Sequence, residues 1–395
     1  MKKWVFFLPV FYILFSCSTS DSSRDAIETV SIDITHLSTH NNMIERMEVF
    51  PLETGEESQL DMIRKIIYLK EEKIYIIEDN SWRLFLFTED GKFLRHSGSV
   101  YGEGPHQYSS LVDYAYNRHK KQIEILSITG TIKCYDLDFN YKETSSLVLG
   151  NGYIPGEFFP CDSTQYIVIP TTDLNENIFF LDTETREIHE AKYGNMIAYS
   201  SMSYNLFQEY RNSLYYIPRG INYYFHQVDA TQKRLNPVIY LDFGKETLIP
   251  EELPGDVVYG QFNNKAKQND IYEAMHKHGE EGTKRHKYLM ESKHFIPLIK
   301  CFNEDYVYVH CIKKRKPYNF IYNRKTKEHF TQGDGYPIQM KFGIWMVDNV
   351  LYTFISSHEI DKYVLKELAS EQEFEKLKHV KEEDNIIMVK YYLKR

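Results

Sequence analysis

The amino-acid sequence predicts an all-β fold: a six-bladed β-propeller with a helical insertion and a C-terminal helix, closed by an N-terminal strand. Three observations favour it. Short alternating apolar runs recur along the 395 residues, turn-forming residues follow them at a nearly constant interval, and aromatic residues make up 15% of the chain. Aromatic and β-branched residues are enriched in strands. Four short strands in about 40–50 residues are typical of a propeller blade.

The repeat is about 47 residues long. Asp and Asn favour turns because their side chains accept hydrogen bonds from the backbone that follows. A second strand-like run precedes each apolar run, so we expect each repeat to supply two central strands and their flanking strands. The turn-opening residues are Thr88, Asp136, Asp182, Asp229 and Asn323. The intervals between them are 48, 46, 47 and 94 residues, and the last interval is twice 47.

The double interval predicts an insertion after the fourth blade. Residues 245–292 are polar, lack alternating apolar residues, and indicate a helix at Asn269–Ser292. A second helix is expected at Asp361–Lys381, where apolar residues have helical spacing. A final strand, Ile386–Leu393, belongs to a sixth blade. We expect Arg46–Leu52 to close that blade, because an open strand edge templates aggregation.

The N-terminal segment indicates export and a lipid anchor. Two lysines precede an apolar run at residues 4–15, shorter than the roughly 20 residues that span a bilayer, as in a secretory signal peptide. The Ser-Cys pair that follows resembles the lipobox of bacterial lipoproteins, although Phe15 departs from the usual small or branched residue. We predict a signal peptide at 1–16, lipid attachment at Cys17, a flexible tether at 17–40, a propeller at 41–395 and a cell-envelope location. The alternative is an ordinary secreted protein.

Tyr101–Tyr108 carries a further resemblance. With Val49–Thr54, it is similar to segments of the six-bladed TolB-like β-propeller lipoproteins of Bacteroidota, whose first two blades are joined by a Gly-x-Gly-Pro-Gly-Glu-Tyr loop. The resemblance implies the fold and the lipid anchor, and members of this family generally have no assigned activity. His106 and Gln107 replace the usual Gly and Glu. The residues that it marks as a structural loop are Gly102, Gly104, Pro105 and Tyr108.

Charge and motifs argue against several functions. A net charge of −9 disfavours nucleic-acid binding. The Gly-x-Gly-Pro loop precedes a strand and not a helix, so it is not typical of a nucleotide-binding loop. His276 and His278 are two positions apart and, with His286 and His294, are expected on a solvated helix surface, so we predict no metal and no cofactor.

The cysteines other than Cys17 do not have the spacing of a disulfide framework. Cys134 and Cys161 are predicted to be buried free thiols because they lie in or beside apolar runs. A bridge between Cys301 and Cys311, on neighbouring predicted strands, is left open.

One face of the predicted propeller carries the candidate site. Loops joining the second to the third strand, and each blade to the next, share this face and suit a polar ligand or partner loop. The first hypothesis is a non-catalytic binding module for a glycan, a peptide or an envelope protein. The alternative is a hydrolase or lyase acting on polysaccharide, which needs acids and His106 to converge. The candidate ligand-binding residues are Asp79, Trp82, Tyr101, His106, Asp173, Arg219 and, in the basic run Lys313–Lys316, Arg315.

Overall fold

The computed structural model confirms the predicted six-bladed β-propeller. It contains five four-stranded sheets and one five-stranded sheet. It describes residues 27–34, 36–149, 155–170, 177–192, 205–218, 221–248, 283–284, 286–333 and 340–395. The predicted signal peptide, Cys17, Asp173 and Arg219 lie outside these residues.

The strands follow one another blade by blade. Two strands precede the blades: β1 (Glu28–Ser31) and β2 (Ile44–Pro51). Blade 1 contains β3 (Ile63–Leu69), β4 (Ile74–Asp79), β5 (Leu84–Thr88) and β6 (Phe93–His96). Blade 2 contains β7 (Asp113–Asn117), β8 (Gln122–Leu126), β9 (Thr131–Tyr135) and β10 (Tyr141–Ser146). Blade 3 contains β11 (Pro155–Pro160), β12 (Gln165–Pro170), β13 (Asn177–Asp182) and β14 (Ile188–Lys192).

The second half of the ring has the same plan. Blade 4 contains β15 (Phe207–Tyr210), β16 (Ser213–Tyr216), β17 (Tyr224–Asp229) and β18 (Arg234–Asp242). Blade 5 contains β19 (Ile296–Phe302), β20 (Tyr306–Lys313), β21 (Lys316–Asn323) and β22 (His329–Gly333). Blade 6 contains β23 (Trp345–Val347), β24 (Val350–Ile355) and β25 (Ile387–Leu393), with β2 as its outermost strand.

Because neighbouring strands within a blade are antiparallel, the connections divide between two faces. The loop face carries the loops from second to third strands and between blades, and the turn face carries the remaining turns. The repeat prediction is confirmed on the turn face: Asp182 Oδ1 accepts the N–H groups of Glu184 and Thr185, both at 2.9 Å. The other predicted turn residues accept backbone N–H groups likewise: Thr88, Asp136, Asp229 and Asn323.

Tyrosines account for much of the packing between blades. Tyr114 of blade 2 is fully buried, and its hydroxyl donates to the carbonyl of Ile76 in blade 1 at 2.7 Å. Tyr308 of blade 5 is also fully buried, and it accepts the N–H of Gly343, in the segment leading to blade 6, at 2.8 Å. Tyrosine combines a large apolar ring with a hydroxyl that finds a partner at the blade junction. The high aromatic content is therefore explained first by the core.

The N-terminal strap, residues 28–51, closes the ring and extends beyond the predicted closing strand. β2 pairs antiparallel with β25, which confirms the closure of blade 6. β1 pairs in parallel with β18 as a fifth strand of blade 4. Between these strands the strap crosses blade 5, where the N–H of Ser38 donates to the carbonyl of Thr331 at 2.9 Å. The prediction of a flexible tether at 17–40 is therefore wrong from Glu28 onwards, where the strap begins, because Val30 and Ile32 are buried in the core.

Two short helices replace the predicted helix at Asp361–Lys381: α1 (Ile360–Tyr363) and α2 (Glu371–Leu377). The chain between them is not helical because it covers the free edge of β2. The carbonyl of Leu368 accepts the N–H of Met47 at 2.9 Å. Among the described residues, no helix is long and apolar enough to cross a membrane.

Glu373 is expected to stabilise this edge. Its Oε2 accepts the buried N–H of Val49 at 2.7 Å, and the carboxylate also binds Lys376 Nζ. Glu373→Ala leaves a buried donor unsatisfied, so the free energy of unfolding should fall by about 1–3 kcal/mol. The control Glu375→Ala removes only an exposed ion pair with Lys378 and should cost less than about 0.5 kcal/mol. Urea denaturation of both variants measures the difference, and equal effects would contradict the edge role.

The prediction of buried free thiols is confirmed for Cys134, whereas Cys161 is a free thiol that is only partly buried. Cys301 and Cys311 are also free, because Cys301 faces Tyr308 and Cys311 faces Pro297 in the β19–β20 register.

Candidate functional site

Trp82 lies in the loop between β4 and β5, on the loop face. Its φ is +61°, a left-handed conformation that costs a residue with a side chain about 1–2 kcal/mol. The N–H of Trp82 donates to the carbonyl of Asp79 at 3.3 Å, and its own carbonyl accepts the Tyr108 hydroxyl at 3.0 Å. The side chain is nevertheless 45% exposed. Backbone strain held by surrounding contacts is common at functional sites, and here it presents an indole to solvent.

Tyr108 supports both Trp82 and Tyr101. It is 2% exposed, and its hydroxyl lies 2.5 Å from Ser97 Oγ as well as bonding the Trp82 carbonyl. Its ring centroid is 5.4 Å from that of Tyr101, which is 38% exposed. The loop between blades 1 and 2 and the Trp82 loop are therefore one packed unit.

The loop Tyr101–Tyr108 accommodates His106 and Gln107, which stand where the resembled family has Gly and Glu. Gln107 Oε1 accepts the N–H of Gly104 at 2.9 Å, and a Cβ at Gly102 (φ +153°) would lie 2.6 Å from that same oxygen. The positive φ of Gly102 favours glycine there, and glutamine fits at position 107 because its side chain accepts the N–H of Gly104. His106 does not have a positive φ, so it carries no left-handed strain. Pro105 contributes its carbonyl, which accepts Lys133 Nζ at 2.7 Å.

Trp82 and Tyr101 belong to a longer exposed surface, which we call the apolar row. Ten large apolar side chains are exposed in the described part of the chain, and five lie on the loop face of blades 1 and 2. Hydrogen bonds join the loops that carry them: Asn80 N–H to the Met62 carbonyl at 3.1 Å, and Ile128 N–H to Ser110 Oγ at 3.3 Å. The members of the apolar row, 38–65% exposed, are Met62, Trp82, Tyr101, Ile128 and Val148.

Charged side chains lie beneath the row, between blades 1 and 2. Lys65 Nζ binds Asp113 Oδ1 at 2.6 Å, and Arg64 Nη1 lies 3.0 Å from Glu78 Oε1. Glu78 is 3% exposed, and burial raises its pKa to about 8 despite the attraction of Arg64, with Asp113 raising it further. Asp79 is 1% exposed. The carboxylates of Glu78, Asp79 and Asp113 are packed under the surface and do not line an exposed cleft with the row, whereas the Arg64 side chain is partly exposed.

Glu78 should give the stability of the protein a distinctive pH dependence. The folded state holds the proton of the Glu78 carboxyl group more tightly than the unfolded chain does, because the pKa of Glu in an unfolded chain is about 4.3. The contribution of Glu78 to the unfolding free energy is therefore fully present below about pH 4.5 and is lost as the pH rises towards 8. Glu78→Gln mimics the protonated carboxyl, so the fall in unfolding free energy between pH 5 and 8 should shrink by on the order of 2–3 kcal/mol.

Urea denaturation at pH 5, 6.5 and 8 measures this change. The matched control is Glu57→Gln, at an exposed position on the same face, which should leave the slope unaltered. If Glu78→Gln and the control have the same pH slope, Glu78 does not hold a proton in the folded protein near neutral pH.

Asp79 and His106, which were also predicted site residues, have side chains that are engaged by other groups and do not join the row. Asp79 accepts the N–H groups of Asp61 and Ser81 at 3.0 and 2.9 Å, so its carboxylate serves the turn. The His106 ring packs against Tyr141 on the outermost strand of blade 2, with centroids 4.2 Å apart. Asp79 ends β4 of blade 1, whereas His106 lies in the loop between blades 1 and 2 and packs against the outermost strand of blade 2. This pair does not supply the convergence that an acid–base site requires.

Arg315 belongs to the boundary of the insertion. Its guanidinium binds Glu291 Oε1 at 2.7 Å, and its N–H donates to the carbonyl of Met290 at 2.7 Å. In the same turn, Lys313 binds Glu246. Two cations of the basic run Lys313–Lys316 thus hold the two ends of the insertion. Residues 286–291 are helical, as predicted, and the rest of the predicted insertion helix before residue 283 lies outside the described residues.

The prediction that the histidines of the insertion lie on a solvated helix surface is wrong for His294. His294 is 6% exposed, just before β19, because it packs into the fold with the end of the insertion. Among the described residues, no group of three or more His, Cys, Asp or Glu side chains could hold a metal ion. His276 and His278 lie outside them.

Sequence reasoning missed Met62, Ile128 and Val148. Met62 adjoins Ile63, and Val148 lies between Leu147 and Leu149, so both resemble core positions in the sequence; Ile128 closely follows the apolar run that ends at Leu126. The signal that could have found them is position: each falls in a loop-face connection of blades 1 and 2 once the 47-residue repeat is applied.

A cavity of about 1090 Å³ lies on the turn face, away from the predicted site. The first-to-second strand turns of blades 4, 5 and 6 line it, together with the chain end at Tyr392–Arg395. Its acids are paired: Glu304 accepts the Tyr210 hydroxyl at 2.6 Å, and Asp305 accepts Asn349 Nδ2 at 3.0 Å. The cavity is a polar groove whose side chains largely bind one another.

Comparisons with known proteins agree with this fold. The family model described as a domain of unknown function (DUF4934) matches residues 29–392. The chain belongs to this family. No curated protein matches the sequence.

Two solved structures from Bacteroides resemble this family member. A Bacteroides fragilis protein described as exported has a TM-score of 0.64 at 14% identity, covering 93% of this chain and 100% of its own. A member of the duf4221 family from Bacteroides vulgatus has a TM-score of 0.50 at 10% identity, covering 89% of this chain and 98% of its own. At these identities the similarity shows the fold alone.

Proposed function

We propose that this member of the DUF4934 family is a lipid-anchored, TolB-like propeller of the cell envelope that binds a polypeptide segment on its apolar row. It is a binding module and not an enzyme. The single observation that carries the proposal is the exposure of five large apolar side chains on consecutive loops of one face. Contiguous exposed apolar surface marks interaction sites in soluble proteins.

The composition of the row favours polypeptide over glycan. Trp, Tyr and Met are the types enriched in protein interfaces, and charged residues are depleted at their centres. The loops at residues 127–130 and 147–149 contain no charged residue. Glycan sites place polar groups beside aromatic rings, but the carboxylate of Asp79, in the Trp82 loop, is buried and engaged by backbone N–H groups. The proposed ligand is therefore a largely uncharged segment with apolar side chains.

Panning a random-peptide display library against the protein tests this proposal. The counter-selection target is a Trp82→Gly, Tyr101→Ala variant, and a glycan array is probed in parallel. We expect apolar peptides that bind the wild type and not the variant, with no glycan signal dependent on the row. Row-dependent binding to a glycan would replace the polypeptide by a sugar ligand. Peptides that bind both forms equally would show that the row is not the binding surface.

A further inference from the structure

We propose that the polypeptide segment bound by the apolar row has a cluster of Lys or Arg residues at the end that lies nearest Met62. This inference rests on the proposed function and deepens it, since it gives the bound segment a charge and a direction. It also decides between two occupants of the row. Exposed Trp, Tyr and aliphatic side chains suit a protein partner, and they equally suit insertion into a bilayer surface.

A group of acidic side chains, which we call the acidic border, adjoins the row at Met62. It lies on two loop-face connections: the one from β2 to β3, and the end of the one from β24 to β25. Residues 53–61 and 381–384 of these connections contain seven carboxylates and one lysine, a net charge of −6. Asp61 directly precedes Met62, so the border begins one residue from the row. The members of the acidic border, all exposed except the half-buried Asp384, are Glu53, Glu56, Glu57, Asp61, Glu382, Glu383 and Asp384.

Asn385 holds the two connections of the acidic border together. It is buried, and its Nδ2 donates to the carbonyls of Glu53 and Ser58, both at 2.8 Å. Its Oδ1 accepts the N–H of Leu60, and its own N–H donates to Thr54 Oγ1, again at 2.8 Å in each case. The folded protein therefore fixes these negative charges beside one another.

The carboxylates of the acidic border are not neutralised by the protein itself. None of them forms an ion pair with a lysine or arginine in the part of the chain that the structure describes. The charges beneath the row differ, because Arg64 pairs with Glu78 and Lys65 with Asp113. Like charges held together raise the free energy of the folded state, and binding surfaces commonly carry such a cost in stability.

The charge of the acidic border favours a polypeptide over a bilayer. Membrane surfaces that contain anionic lipids attract Lys and Arg, and helices that lie in such a surface are rich in these residues. The border would instead place carboxylates against the lipid headgroups at one end of the row. A basic cluster in a polypeptide is attracted by the same carboxylates. Complementary charge at the edge of an interface raises the association rate and fixes the register of the partner.

The order of the loops sets the direction of the bound segment. The row runs from Val148 on blade 2 to Met62 on blade 1, and the acidic border follows on the connection from blade 6 to blade 1. At the opposite end of the row, residues 147–149 include no charged residue. A segment that follows the row therefore places its uncharged apolar residues over the row and its basic residues beyond Met62.

Two peptide-display libraries, panned against the full chain, test the charge of the partner. Each peptide has about eight random uncharged residues, with a run of lysines at one terminus in the first library and a run of glutamates in the second. Association and dissociation rates of the selected peptides, and of the same peptides with the opposite tail, are measured in about 50 mM and about 500 mM NaCl. The border variant carries Glu56→Gln, Glu57→Gln, Glu382→Gln and Glu383→Gln.

A control variant has the same change in net charge away from the loop face. This control is needed because the whole chain is acidic and attracts basic peptides non-specifically. Its four exposed positions lie on turn-face turns and on the outer strand β14, and its substitutions are Glu71→Gln, Glu184→Gln, Glu190→Gln and Glu328→Gln.

We expect lysine-tailed peptides to associate about 10-fold faster than glutamate-tailed ones at low salt, with the difference falling several-fold at high salt. The border variant should lose this difference, and the control variant should keep it. Equal association rates for the two tails, or a lysine preference that is the same in both variants, would overturn the proposal. Row-dependent binding of the wild type to phosphatidylglycerol vesicles would also overturn it. The proposed function fails separately, if the peptides bind the Trp82→Gly, Tyr101→Ala variant as tightly as the wild type while the border variant still slows association.

Discussion

Replacing Trp82 with glycine is expected to weaken ligand binding about 30-fold or more, as for an interface hot spot worth about 2 kcal/mol. The unfolding free energy should stay within about 1 kcal/mol of wild type, because glycine relieves the left-handed strain and offsets the lost contacts of a half-exposed side chain. Affinity for a selected peptide and urea denaturation give the two quantities.

Leu94→Ala is the matched control, since Leu94 is also exposed but lies on β6, outside the row. It should change neither binding nor stability appreciably. A Trp82→Gly variant that loses several kcal/mol of stability would show that the indole is a packing residue. One that binds normally would remove Trp82 from the binding surface.

Tyr108→Ala is expected to have the largest effect on stability. Tyr108 is buried between Trp82, Tyr101 and Tyr135, and removing a buried aromatic ring costs about 3–5 kcal/mol. Tyr108→Phe keeps the ring but loses the bonds to Ser97 and the Trp82 carbonyl, which should cost about 1–2 kcal/mol. Both substitutions should also weaken binding, because the two loops lose their common support. Urea denaturation and peptide affinity measure these effects.

Tyr101→Ala separates the two roles. Tyr101 is exposed and supports no other loop, so its loss should cost less than about 1 kcal/mol while weakening binding. If Tyr108→Ala were no more destabilising than Tyr101→Ala, Tyr108 would not be the support of the site.

The repeat could be predicted from the sequence because blades 1 to 5 end their third strands with the same kind of turn, opened by a residue whose side chain accepts backbone N–H groups. Asp136 and Asn323 accept backbone N–H groups in the same way and recur at a fixed spacing. The closure of blade 6 by a strand near residues 46–52 could also be predicted, because the N-terminal segment offers a strand there and the edge of the last blade needs a partner. Trp82, Tyr101 and the Tyr108 loop could be identified because aromatic residues in loops stand out from those in strands.

The remaining features depend on contacts that are distant in the sequence. β1 is a four-residue strand with no pattern of its own, and it forms because β18 offers an unpaired edge. The carboxylate of Asp79 looks available in the sequence but is engaged by Asp61 and Ser81 in the fold. Arg315 likewise looks free until the end of the insertion supplies Glu291.

Photocrosslinking in living cells tests the central claim most directly. A photoreactive amino acid replaces Ile128 in the row, or Ile188 on β14 as an equally apolar but off-row control. The account predicts a discrete crosslink to one protein partner from residue 128, absent from residue 188 and lost in the Trp82→Gly background. Crosslinks of equal yield from both positions, or a residue-128 crosslink that survives Trp82→Gly, would contradict it.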